Sequence, residues 1–379
     1  MTTPATRTIP SVDETARPTL AAVATRAGVS ASTASLAFSG AGPVADDTRE
    51  RVLAAARELN YGGPDPRARS LRTGRSGIIA VVMEDRIRDA FRDPMVVAML
   101  DGIADELGQA GYSLLLLTDS DDRPVGGLRD ASMDAALLLG CSTDLDPAVA
   151  VLSQRQVPLI GVEARDRDGM HRVELDNREG MRRGAEHLHA LGHRCVGVIT
   201  LPMDRAHTRG PLTAEWEAAS EAYTALERLA GVREVYPDAP AEVAAGSLID
   251  EGHRAALALL RQHPELTAIV AQSDLLALGT IQAVEELGLT VPADVSVLGF
   301  DGARIDGLSI HRLTTLVQPI VEKGRAAARM ALAALAGEPV DDVSFTSELR
   351  LGTTTTAPRG RTRATERDTP PTCARAAED

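Results

Sequence analysis

The sequence predicts an α/β protein: a three-helix head with a hinge helix, followed by a two-lobed body in which each lobe is a parallel sheet flanked by helices. Three observations predict it. Residues 19–60 hold three short helical patterns separated by Gly-containing turns. From Ile78 onward, strand-sized apolar runs alternate with helical patterns about nine times, the pattern of a parallel sheet covered on both faces. This alternation covers more than 270 residues, more than one sheet usually takes, which implies two similar lobes.

The head is read first. Thr19 precedes a helix over Leu20 to Ala27, and a Gly28-Val29 turn follows. Ser30 can cap a second helix over about Ala31 to Phe38. Residues 39–43, Ser-Gly-Ala-Gly-Pro, then break the chain. Asp47 is placed to cap a third helix over Thr48 to Leu59, with Glu50 completing the spacing of a capping box. Two helices joined by a tight Gly turn, with a third to close a small core, is the plan of a helix-turn-helix. The second helix carries Ser30, Ser32, Thr33 and Ser35 and no charge. Small hydroxyls are poor helix formers, but they suit a helix that must enter a groove and meet phosphates and base edges.

Charge distribution fits that reading better than the total does. The chain carries a net −14, yet residues 17–75 hold nine Arg against five acidic residues, a local +4. A basic head on an acidic body can bind a polyanion through the head alone. Beyond the head, Tyr61 to Pro66 is a breaker cluster, and the basic stretch Arg67 to Arg72 is too short to be stable as an isolated helix. It reads either as a solvated linker or as a segment that folds only on contact with DNA, with Leu71 as an apolar wedge between base steps.

In the body, strands are expected at Ile78–Met83, Ser113–Thr118, Ala135–Leu139, Pro158–Val162, Val173–Leu175, Cys195–Thr200, Ala268–Ala271 and Val295–Phe300. Helices are expected at Pro94–Ala110, Pro147–Arg155, Glu179–Leu191, Tyr223–Gly231, Ile249–His263, Leu275–Leu287 and Lys323–Ala336. Residues 204–221 show no element. The resulting divisions are a tail over 1–17, a head over 18–62, a linker and hinge helix over 63–77, a body over 78–356 and a second tail over 357–379. In such sheets ligands bind beyond the carboxyl ends of strands. The polar residues there are Glu84, Asp85, Cys141, Ser142, Glu163, Gln272, Ser273, Asp274 and Asp301.

Other function classes find little support. No apolar run approaches the roughly 18 residues of a membrane span, and the start lacks a charged-then-apolar leader, so a cytoplasmic protein without a membrane partner is expected. Cys141, Cys195 and Cys373 are an odd number without ligand spacing, which suits free thiols in a reducing compartment. His187 and His189 stand at i and i+2 of a helix and point apart, so they do not converge on a metal. Cys195 beside His193 opens an apolar strand and reads as core. A phosphate loop and a dinucleotide fingerprint are absent, so neither an enzyme nor a cofactor is expected.

Several stretches resemble, in order, the lactose/purine repressor (LacI) family of bacterial transcription regulators. In the head and hinge they are TLAAVATRAGVSASTAS, TRERVLAAARELNY and ARSLRTG. In the body they are VELDNREGMRRGAEHLHALGHRCVGVIT, AIVAQSDLLALGTIQAVEELGLTVPADVSVLGFDG and RLTTLVQPIVEKGRAAARMALAALAG. The resemblance implies a body like a periplasmic binding protein and a homodimer, sometimes a tetramer, that reads a near-palindromic operator in double-stranded DNA. It places Thr19, Ser30, Ala31, Ser32, Thr33, Ser35 and Leu36 at DNA, and Arg69, Leu71 and Arg72 in the minor groove. Leu36 departs from the family, where Arg is usual, so a different operator preference is expected. The resemblance also implies a small effector, a sugar or related metabolite, between the lobes. Phe91, Asp93, Ser142, Arg228, Ser273 and Asp301 are its expected contacts, and only Phe91 and Trp216 offer a ring for stacking. The alternative is a small-molecule sensor whose operator reading is lost or altered.

Overall fold

The structure, a computed structural model, describes residues 18–40, 42–63, 70, 74–83, 91–118, 126–140, 146–303 and 310–359. It divides into two compact units, Met1–Ser76 and Gly77–Asp379.

The first unit contains α1 (Leu20–Ala27), α2 (Ala31–Ser39) and α3 (Asp46–Glu58). Thr19 caps α1 by accepting from the Ala22 N–H at 3.2 Å, and Ser30 caps α2 by accepting from the Thr33 N–H at 3.1 Å. Gly28 makes the turn between them at φ 68°, where an L side chain would be strained. The core is small: Val23, Ala24, Ala27, Ala34, Ala37, Val52, Ala55 and Ala56 are buried, with Phe38 edge-on to Tyr61 at 5.6 Å. One expectation fails here. Asp47 is not a cap: α3 starts at Asp46 with Ala45 in the cap position and no side-chain cap bond. Asp46 and Asp47 instead put two carboxylates in the first turn, where they face the positive end of the helix dipole.

The second unit begins with β1 (Ile78–Met83), α4 (Pro94–Gln109), β2 (Ser113–Thr118), α5 (Gly126–Asp130), β3 (Ala135–Leu139), α6 (Asp146–Gln154), β4 (Leu159–Val162) and β5 (Met170–Leu175). It continues with α7 (Asn177–Ala190), β6 (Val196–Thr200), β7 (Gly210–Pro211), α8 (Ala214–Ala219), α9 (Tyr223–Arg233), β8 (Ala241–Val243), α10 (Ile249–Gln262), β9 (Ala268–Ala271), α11 (Asp274–Glu286) and β10 (Ser296–Asp301). Last come β11 (Thr314–Val317), α12 (Ile320–Ala336), β12 (Val343–Phe345) and β13 (Glu348–Arg350).

The strands form two sheets, ordered β12-β5-β4-β3-β1-β2 and β13-β11-β10-β9-β6-β8-β7. The first is parallel throughout; in the second, only β13 and β7 run antiparallel to their neighbours. Because parallel strands are covered on both faces, they read as continuous apolar runs, and β1, β3 and β9 are almost wholly buried. Helices also pack closely without side chains between them. A Cβ on Gly102 would strike the Val321 carbonyl, and one on Gly279 would strike the Ile249 carbonyl, so these glycines set the α4–α12 and α10–α11 crossings.

The lobes exchange chain three times: between β5 and α7 at Asp176, between β11 and α12 at Gln318–Pro319, and between β12 and β13 at residues 346–347. Asp176 ties two of these crossovers together. Its carboxylate accepts from the Ser347 N–H at 2.7 Å and from Arg183 Nη2 at 2.6 Å, while Arg183 also donates to the Ser347 carbonyl at 2.7 Å. The interval 204–221, read as featureless, contains β7 and α8; α8 starts where Thr213 accepts from the Trp216 N–H at 3.2 Å. The strands β8, β11, β12 and β13 were also unread, being only three or four residues long.

Candidate functional site

Each unit presents a candidate site. In the head it is the outer face of α2. Ala34 and Ala37 are buried in the core, which turns Ser30, Ala31, Ser32 and Leu36 outward, with Thr33 and Ser35 half-buried. Ser30 Oγ lies 2.8 Å from Ser32 Oγ and 2.8 Å from Thr33 Oγ1, so three hydroxyls form one uncharged hydrogen-bonding patch at the helix N-terminus. Such a patch, beside the free N–H groups of the first turn, suits a phosphate. Leu36 leans over Gly42 and stays 38% exposed. Thr19 is exposed at the start of α1. Arg69, Leu71 and Arg72 lie outside the described residues, as does Ser142.

In the body, the carboxyl ends of β4, β6, β9 and β10 meet a cavity of about 160 Å³ between the lobes. Asp93, Glu163, Arg228, Ser273 and Asp301 line it. Four of the expected contacts, Asp93, Arg228, Ser273 and Asp301, are thus brought together. Phe91 is not: it is 59% exposed and absent from the lining. Trp216 also stays away, since it packs against the core of the second lobe. No aromatic ring among the described residues lines the cavity.

Arg228 is 4% exposed and tightly held. Its Nε donates to Asn177 Oδ1 at 2.8 Å, its Nη1 donates to the Gln272 carbonyl at 2.6 Å, and its guanidinium lies 3.8 Å over the Phe300 ring. Its remaining neighbours are carboxylates, Asp301 at 3.6 Å and Glu163 at 3.7 Å. Asp301 accepts from Gln318 Nε2 at 2.8 Å, and Gln318 Oε1 accepts from Lys323 Nζ at 2.7 Å. Lys323 also donates to Glu163, whose other oxygen accepts from Asn177 Nδ2 at 2.8 Å. The six side chains therefore close a ring that joins both lobes through a crossover. Ser273 caps α11 by accepting from the Leu276 N–H at 3.2 Å and also accepts from Ser247 Oγ at 2.9 Å.

Electrostatics follow from this ring. Burial would raise the Glu163 carboxyl, but the charges of Lys323 and Arg228 and the bonds from Lys323 and Asn177 outweigh it and hold the group at about 2. Asp301 goes the other way. Burial pushes it well above the usual carboxylate range; Arg228 opposes this, while Asp274 and Asp93 add to it. Asp274, beneath the cavity, is raised by burial to about 7 despite accepting from Thr315 Oγ1 at 2.6 Å and the Ala303 N–H at 2.7 Å. Glu163 and Asp301 also have φ of 52° and 120°, regions that L side chains seldom adopt, and such strain collects at functional sites.

Sequence reasoning left out Thr224, Asn177, Gln318 and Lys323. Two of them had a signal. Thr224 lies one helical turn before Arg228 on the same face. Lys323 shares the apolar stripe of Ala327, Met330 and Ala331. Thr224 lines the cavity with 1% exposure, and its hydroxyl has no hydrogen-bond partner among the described residues. The histidines have packing roles. His187 contacts Thr355 at 3.1 Å, and His193 contacts Thr267 and the Thr356 carbonyl, each at 2.9 Å; Cys195 is buried. No helix among the described residues is long and apolar enough to cross a membrane.

Comparison with known proteins finds matches for both units. Residues 19–63 match the lacI family of bacterial regulatory proteins, and residues 185–355 match the periplasmic binding protein-like domain. An HTH-type transcriptional regulator of Mycolicibacterium smegmatis is 33% identical over 352 residues, covering 88% of this chain and 95% of the relative. The lac repressor dimer bound to operator and the anti-inducer ONPF superposes with a TM-score of 0.73 at 25% identity, covering 90% of this chain and 99% of that one. The complex of the transcriptional regulator CelR with cellobiose has a TM-score of 0.65 at 26% identity, covering 89% of this chain and 100% of that one. The chain belongs to the LacI family of bacterial transcriptional regulators, with a helix-turn-helix DNA-binding head and a periplasmic-binding-protein-like body of two parallel-sheet lobes.

Proposed function

We propose that this chain is a non-enzymatic, cytoplasmic repressor that binds a near-palindromic operator as a homodimer and senses a small polar effector, a sugar or related metabolite, in the interlobe cavity. The observation that carries the reading is the ring through Arg228, Asp301, Gln318, Lys323, Glu163 and Asn177, because it joins residues of both lobes directly at the cavity. A ligand that takes up Arg228 and Asp301 changes what holds the lobes to one another, and an effector acts only through such a difference between two states. The lac repressor and CelR complexes support the reading by analogy, being bound to an operator with an anti-inducer and to cellobiose respectively.

In the head, Ser30, Thr33 and Ser35 are assigned to phosphates, and Ala31, Ser32 and Leu36 to base edges, with Leu36 offering only an apolar face, as to a thymine methyl. Thr19 is assigned to the backbone, and Arg69, Leu71 and Arg72 to the minor groove. The test is selection of bound fragments from genomic DNA, with footprinting across a salt series. Protection of a near-palindrome of about two half-sites one helical turn apart, with affinity falling steeply in salt, supports the reading. Weak binding indifferent to sequence would leave a ligand sensor without an operator. Leu71→Ala should weaken operator binding more than binding to unrelated DNA; equal losses would remove the wedge assignment.

A further inference from the structure

At the end of the second sheet opposite the cavity, residues 352–356 form a strap across the amino ends of β10 and β11. The first N–H groups of parallel strands need partners, and threonine can both give and take hydrogen bonds. Thr353 donates from its N–H to the Arg312 carbonyl at 2.6 Å. The Val297 N–H donates to the Thr354 carbonyl at 2.8 Å. Thr354 Oγ1 accepts from the Thr314 N–H at 2.9 Å and donates to the Val297 carbonyl at 2.7 Å. The Thr356 N–H donates to Ser296 Oγ at 3.1 Å. Two histidines then tie the strap to α7 and to the turn that follows it. His193 Nε2 must donate to the Thr356 carbonyl at 2.9 Å, since a carbonyl only accepts. Its Nδ1 lies 2.9 Å from Thr267 Oγ1, which also reaches the Cys195 carbonyl at 3.3 Å. Thr267 can therefore give a proton to Nδ1 or take one from it, so His193, 1% exposed, keeps its bonds in either charge state.

His187 differs, because its bond belongs to a chain with a direction. The Gly352 N–H donates to Thr314 Oγ1 at 3.0 Å, Thr314 Oγ1 lies 3.0 Å from Thr355 Oγ1, and Thr355 Oγ1 lies 3.1 Å from His187 Nε2. With His187 neutral, each hydroxyl passes its proton onward and Nε2 accepts the last one. A protonated His187 can only donate at Nε2. Whichever way Thr355 then turns, one hydroxyl proton of the Thr314–Thr355 pair has no acceptor in the chain, and Thr314 is 0% exposed. A buried donor left unpaired opposes the bound state. Burial accordingly holds the His187 imidazole below its ordinary 6.5. Burial also lowers His193, opposed by the Thr356 carbonyl and aided by the charges of His187 and Arg194. The other charged groups nearby are engaged elsewhere. On α7, Arg183 and Glu186 bond to Asp176 and Arg182. Tyr236, with His189 beside its ring, donates to the His193 carbonyl at 3.2 Å, and Arg359 of the segment after the strap stands 3.9 Å from Asp294. Glu348 and Arg350 lie on β13, which packs against α7. A group lowered in this way contributes fully above its ordinary value, and the contribution is lost as pH falls through the lowered one.

We propose that residues 352–356 are a proton-operated latch on the second lobe: His193 anchors the strap, His187 senses the proton, and protonation of His187 releases the strap from the amino ends of β10 and β11. The full chain is tested by native-state amide exchange, read as protection factors at pH 7.5 and pH 5. At pH 5 the amides of Val297, Thr314, Gly352 and Thr356 should lose at least roughly tenfold in protection relative to the amides of β3. His187→Gln keeps a side chain that can accept from Thr355 but takes up no proton, so its strap should be protected at pH 5 to within about twofold of the pH 7.5 value. Thr355→Val cuts the link between His187 and Thr314 and should abolish the acid response in the same way, which keeps the test open if His187→Gln does not fold. Equal strap protection at both pH values in the wild type, an equal loss in β3, or a full acid response in either variant overturns the proposal.

Discussion

Lys323 and Glu163 form a buried ion pair beneath the interlobe cavity, with the lysine fully enclosed and the glutamate 7% exposed. Both belong to the first lobe, yet Glu163 is also bonded to Asn177 and Lys323 to Gln318, so the pair anchors a network that reaches the second lobe. Removing one partner of such a pair strands the other. Lys323→Met should therefore lower stability by about 3–5 kcal/mol in urea denaturation, since an uncompensated buried charge is left behind. The double variant Lys323→Met/Glu163→Gln should recover a large part of that loss. Additive losses in the two single variants would show that the pair is not coupled.

The shifted carboxylates in and beside the pair give stability opposite dependences on pH. Glu163 is held at about 2, below its ordinary 4.5, so its contribution is complete above about 4.5 and is lost as pH falls toward 2. Asp274 and Asp301 are raised, the former to about 7, so the folded chain binds more protons than the unfolded chain between about 4 and 7, and stability falls as pH rises through that window. Asp301→Asn keeps an acceptor for Gln318 and removes the titrating group. Urea midpoints measured from pH 5 to pH 8 should decline for the wild type and decline less for this variant. Equal slopes would mean that Arg228 keeps Asp301 ionised throughout.

Much of this architecture was legible because burial and periodicity leave strong marks. The turn at Gly28 and the run Ile78–Met83 could be read directly, since glycine takes φ 68° without strain and a strand buried on both faces is apolar at every position. The short strands were not legible: Val343–Phe345 and Glu348–Arg350 take their conformation from the sheet edges they join, not from their own composition. Arg228 and Asp301 were expected at the cavity from the family resemblance, whereas Lys323, read only as the start of a helix, sits on the apolar stripe of α12. Phe91 lies outside the cavity lining, because sequence tells that a ring follows a strand, but not which way it faces.

A close helix crossing makes Gly279 intolerant of any side chain. A methyl at Gly279 would overlap the Ile249 carbonyl and the His253 amide, both backbone atoms of α10 that cannot move aside singly. Gly279→Ala should cost about 1–3 kcal/mol or more through forced separation of α10 and α11, although alanine is the better helix former. Gly108→Ala, which meets nothing within 4 Å, is the control and should be neutral or slightly stabilising. Similar thermal midpoints for the two variants would contradict the packing described for α10 and α11.

In the head, Ser30 combines a structural and a recognition role that substitution can separate. Ser30→Ala removes the cap of α2 and the centre of the hydroxyl patch, and should cost about 1 kcal/mol of head stability while weakening binding to all DNA sequences alike. Leu36→Ala leaves the cap intact and removes an exposed apolar contact, so it should alter sequence preference more than salt dependence. Binding measured to selected and scrambled sites at two salt concentrations checks both. An unchanged preference for Leu36→Ala would take that residue away from the bases.

The last prediction concerns the crossovers. Arg183 joins Asp176 of one crossover to Ser347 of another through bonds of 2.6 and 2.7 Å, so it restrains two of the three chain segments that connect the lobes. Its loss does not expose core, because Arg183 is about one-third exposed and stands on the outer side of α7. Arg183→Met should then lower global stability by only about 1.5–3 kcal/mol, the range for a hydrogen bond to a charged group. Its larger effect should be local. Amide exchange at Asp176 and Ser347, whose N–H groups bond to Phe345 and to Asp176 respectively, should speed up at least tenfold, while the amides of β3 remain protected. Uniform acceleration in both places would mean that the arginine supports the whole fold and not the crossovers. If local acceleration is seen, the same variant should also show a reduced difference in operator affinity between free and effector-bound states, because lobes that turn easily in both states give a ligand less to bias.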